Sequence, residues 1–591
     1  MPAPGGDSKA EGSPNYLADA CTKLADALQH FLANPPAVKS RRSYDSLSVF
    51  SAMTDVMKGV MLQPERLIET QMQAINSWSK LWQNMWAPDG KDNPIVVPER
   101  GDRRFSDGEW ESSPYFRQLK QSHLLAAKQL RQLVQSSGEE DKSKRAMTEL
   151  IVEQYINAAA PTNFVFTNPA VLRRTVDTYG ANLIAGFANL LEDLASGRGI
   201  VQRRTDKGAF RLGENIACTP GAVVYQNHIM QLLQFTPTTP DVRKRPMLYV
   251  APLVNKYYMI DLQPESSLVK WLVDQGHTVF AISWVDPDES HRHCGVEDYV
   301  GTGVIEALEQ VLKETGADAV DMFGFCMGGT LISMAAAVLT ARGEGEKVGS
   351  LTLIGALVDF ADMMEWSAFV NEAQVEALDV HIGEKGYIAK DELQRLFSMM
   401  RANDLVWSSF INHYLLDKEA PPSDLLFWFE DGSHIPEAFL RTFNRKLLLE
   451  DRLREPGAVT MLGEQLDLSS IKVPVTIIGL KDDHVSSWQS VFRGQQYFGG
   501  DVTFILGGSG HNAGVINPPH RKKHGYWTNT AKHADPDAWF ASATKNEGSW
   551  WPQWSAWLHD NDSTDTVPAR KPGAGALKVI EPAPGSYVLG A

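Results

Sequence analysis

From residue 247 onward, short apolar runs alternate with amphipathic helical stretches, and no other feature of the chain restricts the fold as strongly. The runs MLYVAPLV (247–254), HTVFAISWV (277–285), AVDMFGF (319–325), SLTLIGALV (350–358), VPVTIIGL (473–480) and DVTFILGG (501–508) have the length and apolar content of buried strands. Residues 261–276, 304–316 and 327–343 read as helices, the first two stopped by Gly276 and Gly316. Strands joined through helices run parallel, so a doubly wound α/β sheet is expected. The rhythm fails between about 360 and 440, where Met and Trp are scattered through helical stretches. That insertion reads as a cap over the active edge of the sheet.

The first part of the chain has a different texture. LADACTKLADALQHFL repeats apolar positions at helical spacing, Pro35 and Pro36 interrupt it, and helical patterns resume over 114–136 and 143–158. We expect a mostly helical N-terminal domain over 1–205, with a mobile Gly/Pro/Ser-rich start over 1–14, and a catalytic domain over 206–591. With 591 residues, more than one structural unit is the prior. The N-terminal helices hold no catalytic constellation and by default pack on one another or on a partner subunit, contact with an apolar surface being the sharper alternative.

The net charge of −16 argues against a nucleic-acid binder, which needs clustered Lys and Arg to neutralise phosphates. The four cysteines, Cys21, Cys218, Cys294 and Cys326, form no CxxC pair and no Cys/His cluster. Neither a metal site nor a disulfide framework is expected, and no cofactor is implied. Reduced thiols fit a cytoplasmic location. The N-terminus lacks the basic and apolar regions of a secretory signal. No apolar run reaches the roughly 18 residues of a transmembrane helix.

The chemistry is carried by Cys326. The strand AVDMFGF runs into Gly324-Phe325-Cys326-Met327-Gly328-Gly329 and then a helix, the context of a nucleophile elbow. Gly324 and Gly328 stand two residues to either side, where a sharp turn leaves no room for a Cβ. A thiol at a helix N-terminus has its thiolate favoured by the helix dipole. The backbone N–H of Met327 would supply one oxyanion donor, and the loop after the first parallel strand, around Leu253 and Val254, the other. A nucleophile so placed calls for an acid and then a histidine at the ends of later strands. Lys481-Asp482-Asp483-His484 follows one such strand, and Ser509-Gly510-His511-Asn512 the next. His511, between small residues, reads as an exposed ring on a tight loop. By chemistry alone Asp482 and Asp483 are close to tied as its partner.

Cysteine in place of serine also matters. Acyl transfer from a thioester to a thiol is nearly isoenergetic, so loading is reversible and the acyl group stays activated; onward transfer to an alcohol is then downhill. A cysteine elbow suits an acyltransferase, and a serine elbow suits hydrolysis.

Several further stretches complete the pattern: Val254-Asn255-Lys256-Tyr257-Tyr258, the text from Asp261 to Ser267, GFCMGGT, NDLVW (403–407), DLLFW (424–428), DDH (482–484), SGHNAGVINPP (509–519) and GSWWP (548–552). From about residue 95 to the C-terminus they are similar, in order, to polyhydroxyalkanoate synthases of the single-subunit type. The resemblance implies an α/β-hydrolase-like fold with a helical cap, preceded by the helical N-terminal domain. It implies Cys326 as acylated nucleophile, His511 as general base and Asp483, rather than Asp482, as the acid. It further implies polymerisation of (R)-3-hydroxyacyl-CoA onto a growing polyester chain, a homodimer with Trp428 in its contacts, and cytoplasmic granules with their associated proteins. Asn512 departs from the family, which usually carries an aliphatic residue there. Arg401 and the run Arg521-Lys522-Lys523 are candidates for the CoA phosphates, with solvated surface charge as the plain alternative. A Cys-dependent thioesterase or polyester depolymerase is the competing enzyme reading, and an inactive granule-coat protein the competing non-enzymatic one. Asp261 reads as a support for the loop after the first parallel strand, and Trp550, Trp551, Trp554 and Trp557 as core packing.

Overall fold

The computed structural model describes residues 14–34, 64–85, 94–99, 102–136, 141–196, 204–562 and 565–590. The start over 1–13 and the Pro35-Pro36 break lie outside the described residues. The chain clusters into two compact units: Met1–Asp206 with Arg395–Pro422, and Lys207–Gln394 with Ser423–Ala591. The segment Arg395–Pro422 lies inside the stretch read as a cap and belongs by its contacts to the first unit.

The first unit is helical: α1 (Pro14–Ala33), α2 (Pro64–Met85), α3 (Pro114–Gln135), α4 (Lys142–Ala158) and α5 (Ala181–Ala195) are its longer helices. Small residues let two of them approach closely, with Ala20 of α1 against Ala181 and Ala185 of α5, and Ala27 against Ala188 and Leu191. Buried polar bonds then seat residues 411–418 on α5. Asn182 Nδ2 donates to Leu415 O at 2.7 Å, and Tyr414 Oη to Asp193 Oδ2 at 2.6 Å. Satisfied pairs of this kind fix one docking geometry where apolar contacts alone would allow several.

The second unit is built on one mixed sheet. Its strands are β1 (Gly221–Gln226), β2 (Met230–Phe235), β3 (Met247–Val250), β4 (Val279–Trp284), β5 (Val320–Phe325), β6 (Val348–Ile354), β7 (Val475–Leu480), β8 (Val502–Gly507), β9 (Tyr526–Thr528), β10 (Thr544–Asn546) and β11 (Glu581–Pro582). Their order across the sheet is β10-β9-β8-β7-β6-β5-β3-β4-β2-β1-β11. Strands β3 to β8 pair in parallel, and all six runs read as strands in the sequence are present among them. The residues of β3, β4, β5 and β7 are buried throughout, as continuous apolar runs in a two-sided sheet should be.

Antiparallel edges flank this parallel centre. Strands β1 and β2 were not legible as strands because glutamines break their apolar pattern. Gln231 and Gln234 are nonetheless fully buried. Gln231 Nε2 is satisfied by Gln226 and Ser586, and Gln234 Oε1 accepts the Gly573 N–H, so the C-terminal tail supplies partners that local sequence cannot show. The tail's extended end pairs with β1 as β11.

Helix α6 (Leu268–Asp274) is shorter than the 261–276 expected. Asp261, buried by its surroundings and pushed up in pKa by that burial, accepts bonds from Thr219 and Ser267, and Ser267 Oγ caps α6 by accepting the Lys270 N–H. Those bonds hold 261–267 in turns, which makes Asp261 a structural support. Helix α7 (Glu306–Thr315) stops at Gly316, whose φ of +62° needs no Cβ, and a wider turn over Tyr299–Ile305 precedes it. Trp550, Trp551 and Trp554 are fully buried around the start of α9 (Trp551–Asp560). Among the described residues no helix is long and apolar enough to cross a membrane, and no cluster of three metal-ligating side chains occurs.

Helix α8 (Met327–Ala341) starts directly beneath β3: a Cβ on Gly328 would lie 2.0 Å from the Val250 carbonyl oxygen. Backbone on both sides cannot yield without moving a strand. Gly328→Ala is expected to destabilise the fold by roughly 1–3 kcal/mol or more, measured as a lower urea midpoint at unchanged slope.

Candidate active site

At the end of β5 the chain turns through Cys326 with φ +51° and ψ −125°, and α8 begins at the next residue. A positive φ at a residue with a Cβ costs roughly 1–3 kcal/mol and persists only where the surroundings enforce it. Here the Cys326 N–H donates to Ile354 O at 2.8 Å, the Gly329 N–H donates to Cys326 O at 2.9 Å, and a Cβ on Gly324 would meet Gly328 backbone at 2.5 Å. The turn lifts a partly exposed thiol to the carboxyl end of the sheet. Met327 opens α8, so its N–H has no intrahelical acceptor. Val254 lies, half-buried, in the loop that leaves β3, and β3 pairs directly with β5 through Val250 and Gly324.

The loops after β7 and β8 carry the other two groups. Asp483 is 5% exposed and His511 6% exposed, and Asp483 Oδ2 lies 2.6 Å from His511 Nδ1. Asp483 Oδ1 accepts the backbone N–H groups of Val485 and Ser486 at 2.7 and 2.9 Å, which fixes the carboxylate's direction. Asp482 points to solvent, and its backbone N–H joins the two loops by donating to Ser509 O. The geometry therefore separates the two aspartates that chemistry left tied. Lys481, just before them, is anchored with its ammonium 4.4 Å from the ring centroids of both Trp527 and Phe540.

The expectation of an exposed His511 ring is corrected. Phe325 covers it at a centroid distance of 4.6 Å, and Gly355 lies beside it. A Cβ on Gly355, whose φ is +54°, would come within 3.4 Å of His511 Cε1 and 3.5 Å of Asp483 Oδ2. Gly355 was missed in the sequence; its signal is a glycine immediately after a buried strand, in LTLIG. The His511 loop is held from below by Trp550 Nε1–H and Trp551 Nε1–H, which donate to Gly514 O and Val515 O at 2.8 and 2.9 Å. Those tryptophans are core residues, as expected, and they also brace the site.

Burial lowers the pKa of His511, but the charges of Asp483 and Cys326 and the hydrogen bonds to both outweigh it, and the imidazole is pushed up to about 10. The protonated form of the ring is thus favoured by its two neighbours, Asp483 and Cys326. Arg401 belongs to the first unit and pairs with Asp404 on the surface. Arg521, Lys522 and Lys523 are exposed beyond the His511 loop, and Asn512 beside the histidine is half-buried. Trp428 is buried within its own chain, 2% exposed, and donates Nε1–H to Lys256 O at 2.7 Å.

A Cys–His–Asp set at the carboxyl ends of β5, β8 and β7, on a sheet of this order, defines an enzyme of the alpha/beta hydrolase fold, and a family model of that description matches residues 257–518. A second model, described as the N-terminus of poly-beta-hydroxybutyrate polymerase (PhaC), matches residues 101–272. The chain is 38% identical over 97% of its length to a poly(3-hydroxyalkanoate) polymerase subunit PhaC of Rhizobium meliloti, covering 94% of that protein. It is 38% identical to a poly(3-hydroxyalkanoate) polymerase of Methylorubrum extorquens (91% of this chain, 89% of the relative). It is 39% identical to the PhaC subunit of Cupriavidus necator (90% of each chain). The chain belongs to the poly(3-hydroxyalkanoate) polymerase family.

Proposed function

We propose that this enzyme polymerises (R)-3-hydroxyacyl-CoA, with 3-hydroxybutyryl-CoA and other short units as substrates, through an acyl group carried on Cys326. The observation that carries this reading is a thiol on a positive-φ elbow together with a buried imidazole whose Nδ1 is 2.6 Å from an aspartate. The Cys326 thiolate attacks the thioester carbon, the oxyanion is held by the backbone N–H groups of Met327 and Val254, and CoA leaves as its thiol after taking a proton from His511. Acylation removes the thiolate charge, one of the causes that keep the His511 pKa high. His511, left neutral after giving its proton to CoA, then stays unprotonated more readily, and it takes the proton of a 3-hydroxyl as that oxygen attacks the acyl-cysteine. Asp483 holds the ring with Nε2 toward the reacting atoms and stabilises the imidazolium. One ester bond forms, one thioester breaks, and Cys326 is regenerated.

The rest of the reading follows the same family. The enzyme works as a homodimer in the cytoplasm, at the surface of polyester granules and beside their associated proteins. Residues 1–205 form a helical domain and residues 206–591 a catalytic domain, with a cap over 360–440 whose segment Arg395–Pro422 clusters with the helical unit. Arg401, or the run Arg521-Lys522-Lys523, meets the CoA phosphates.

The test gives the purified protein (R)-3-hydroxybutyryl-CoA and follows free thiol and turbidity together. Thiol release with insoluble polyester is expected. Release with soluble 3-hydroxy acid alone would place the chain among thioesterases, and no release would leave the coat-protein reading.

A further inference from the structure

The loop after β3, which carries Val254, is fastened by a second stretch of chain, residues 424–434. Trp428 donates to Lys256 O, and Asn255 Nδ2 donates to the carbonyls of Trp428 and Phe429 at 3.4 and 3.3 Å. The Ser433 N–H donates to Val254 O at 3.1 Å, and Asn255 bridges Gly432 in antiparallel fashion. The strongest tie is Asp431. Its Oδ1 lies 2.8 Å from Lys256 Nζ, and its Oδ2 accepts the Tyr258 hydroxyl at 2.9 Å. The Lys256 side chain is 9% exposed and that of Asp431 23%, so the pair is partly shielded from water, and the ammonium also donates to Val588 O at 2.7 Å. The far end of the strap is anchored too. Asp286 Oδ1 accepts the His434 N–H and lies 2.6 Å from His434 Nδ1, while its Oδ2 holds Lys390 at 3.0 Å.

The other end of the same loop abuts the elbow: the Cβ position of Gly328 lies 3.1 Å from the carbonyl carbon of Ala251. Slack in the strap is therefore transmitted to the loop beside Cys326. Asp483 and His511 are carried by β7 and β8 on the other side of β5 and, among the described residues, make no bond to the strap. A bond made to a transition-state oxygen is lost by small displacements, whereas a thiolate–imidazolium pair held elsewhere is not.

We propose that Asp431 is a positioning residue for the reaction: by holding Lys256 and Tyr258 it sets the Val254 N–H at bonding distance from the thioester oxygen. The inference rests on the oxyanion role given to Val254 above. Asp431→Asn keeps the shape of the side chain and removes its charge. Two rates are compared in the full chain: steady-state turnover of (R)-3-hydroxybutyryl-CoA, and alkylation of Cys326 by iodoacetamide, which needs the thiolate but makes no oxyanion. The expected result is a kcat lowered roughly tenfold or more, a KM within about threefold, and an alkylation rate within about twofold of the parent. An unchanged kcat overturns the proposal. So does a parallel fall in both rates, which would show a general loss of the site. Tyr258→Phe removes only the hydroxyl that Asp431 Oδ2 accepts; it should give the same split at smaller size, and it decides the matter if Asp431→Asn does not fold. Cys326→Ala run alongside keeps the two readings apart. Turnover that survives Cys326→Ala sinks the proposed function, whereas an inert Cys326→Ala beside a fully active Asp431→Asn sinks only the strap.

Discussion

Cys326→Ala is expected to lower CoA release by about 10⁴-fold or more, because residual catalysis must come from binding and the oxyanion donors alone. The size follows from how the elbow is built. The turn exists to present one atom, and its backbone bonds to Ile354 and Gly329 involve no side chain, so alanine inherits the geometry and loses only the sulfur. Thermal unfolding should therefore shift by only about a degree, the effect of about 1 kcal/mol in a protein of this size. Stopped-flow thiol detection beside differential scanning calorimetry checks both halves. Normal turnover in the alanine variant would remove Cys326 from the mechanism, and a collapse of the transition temperature would show that the loss was one of folding.

Asp483→Asn and Asp482→Asn should differ by about 10⁴-fold in kcat, although the residues are adjacent and alike. In the first variant, asparagine Oδ1 can still accept the Val485 and Ser486 N–H groups, so the loop keeps its shape. Its NH₂ then faces His511 Nδ1, and two donors cannot share that contact. The ring must take the tautomer with its proton on Nε2, where it can no longer accept one from the thiol or the hydroxyl. Asp482 faces solvent and contributes only its backbone N–H to Ser509, so its asparagine variant should stay within about twofold of the parent. The pH profile is the sharper measurement. The charge of Asp483 is one cause of the raised His511 pKa, so Asp483→Asn should lower that pKa and move the limb that reports the imidazolium toward acid, and Asp482→Asn should leave it in place. Equal effects from the two variants would contradict the geometry.

What could be read without coordinates follows a physical division. The parallel strands were legible because a strand buried on both faces must be apolar along its length, and the elbow because a turn that tight requires Gly324 and Gly328. The edge strands were not, since Gln231 and Gln234 are tolerated in the interior with the help of partners more than 300 residues away. The burial of His511 was missed for a related reason: the residues that cover it, Phe325 and Gly355, come from β5 and the end of β6, and no local pattern announces them. Asp431 shows the same limit, because its partners Lys256 and Tyr258 lie in a different stretch of sequence. Contacts that close across the fold leave little trace in the neighbours of either residue.

The two ends of the sheet bear on how such a protein stays unaggregated at high concentration. One edge is closed by Glu581–Pro582, two residues of which one has no N–H to donate; the other ends in Thr544–Asn546, three residues with Lys545 at the middle. Neither border offers a free ladder long enough to template a strand from a neighbouring molecule, and a lysine or a proline on a border is a familiar guard against such pairing. Copies held at high local concentration are thereby kept from fusing sheet to sheet into aggregates.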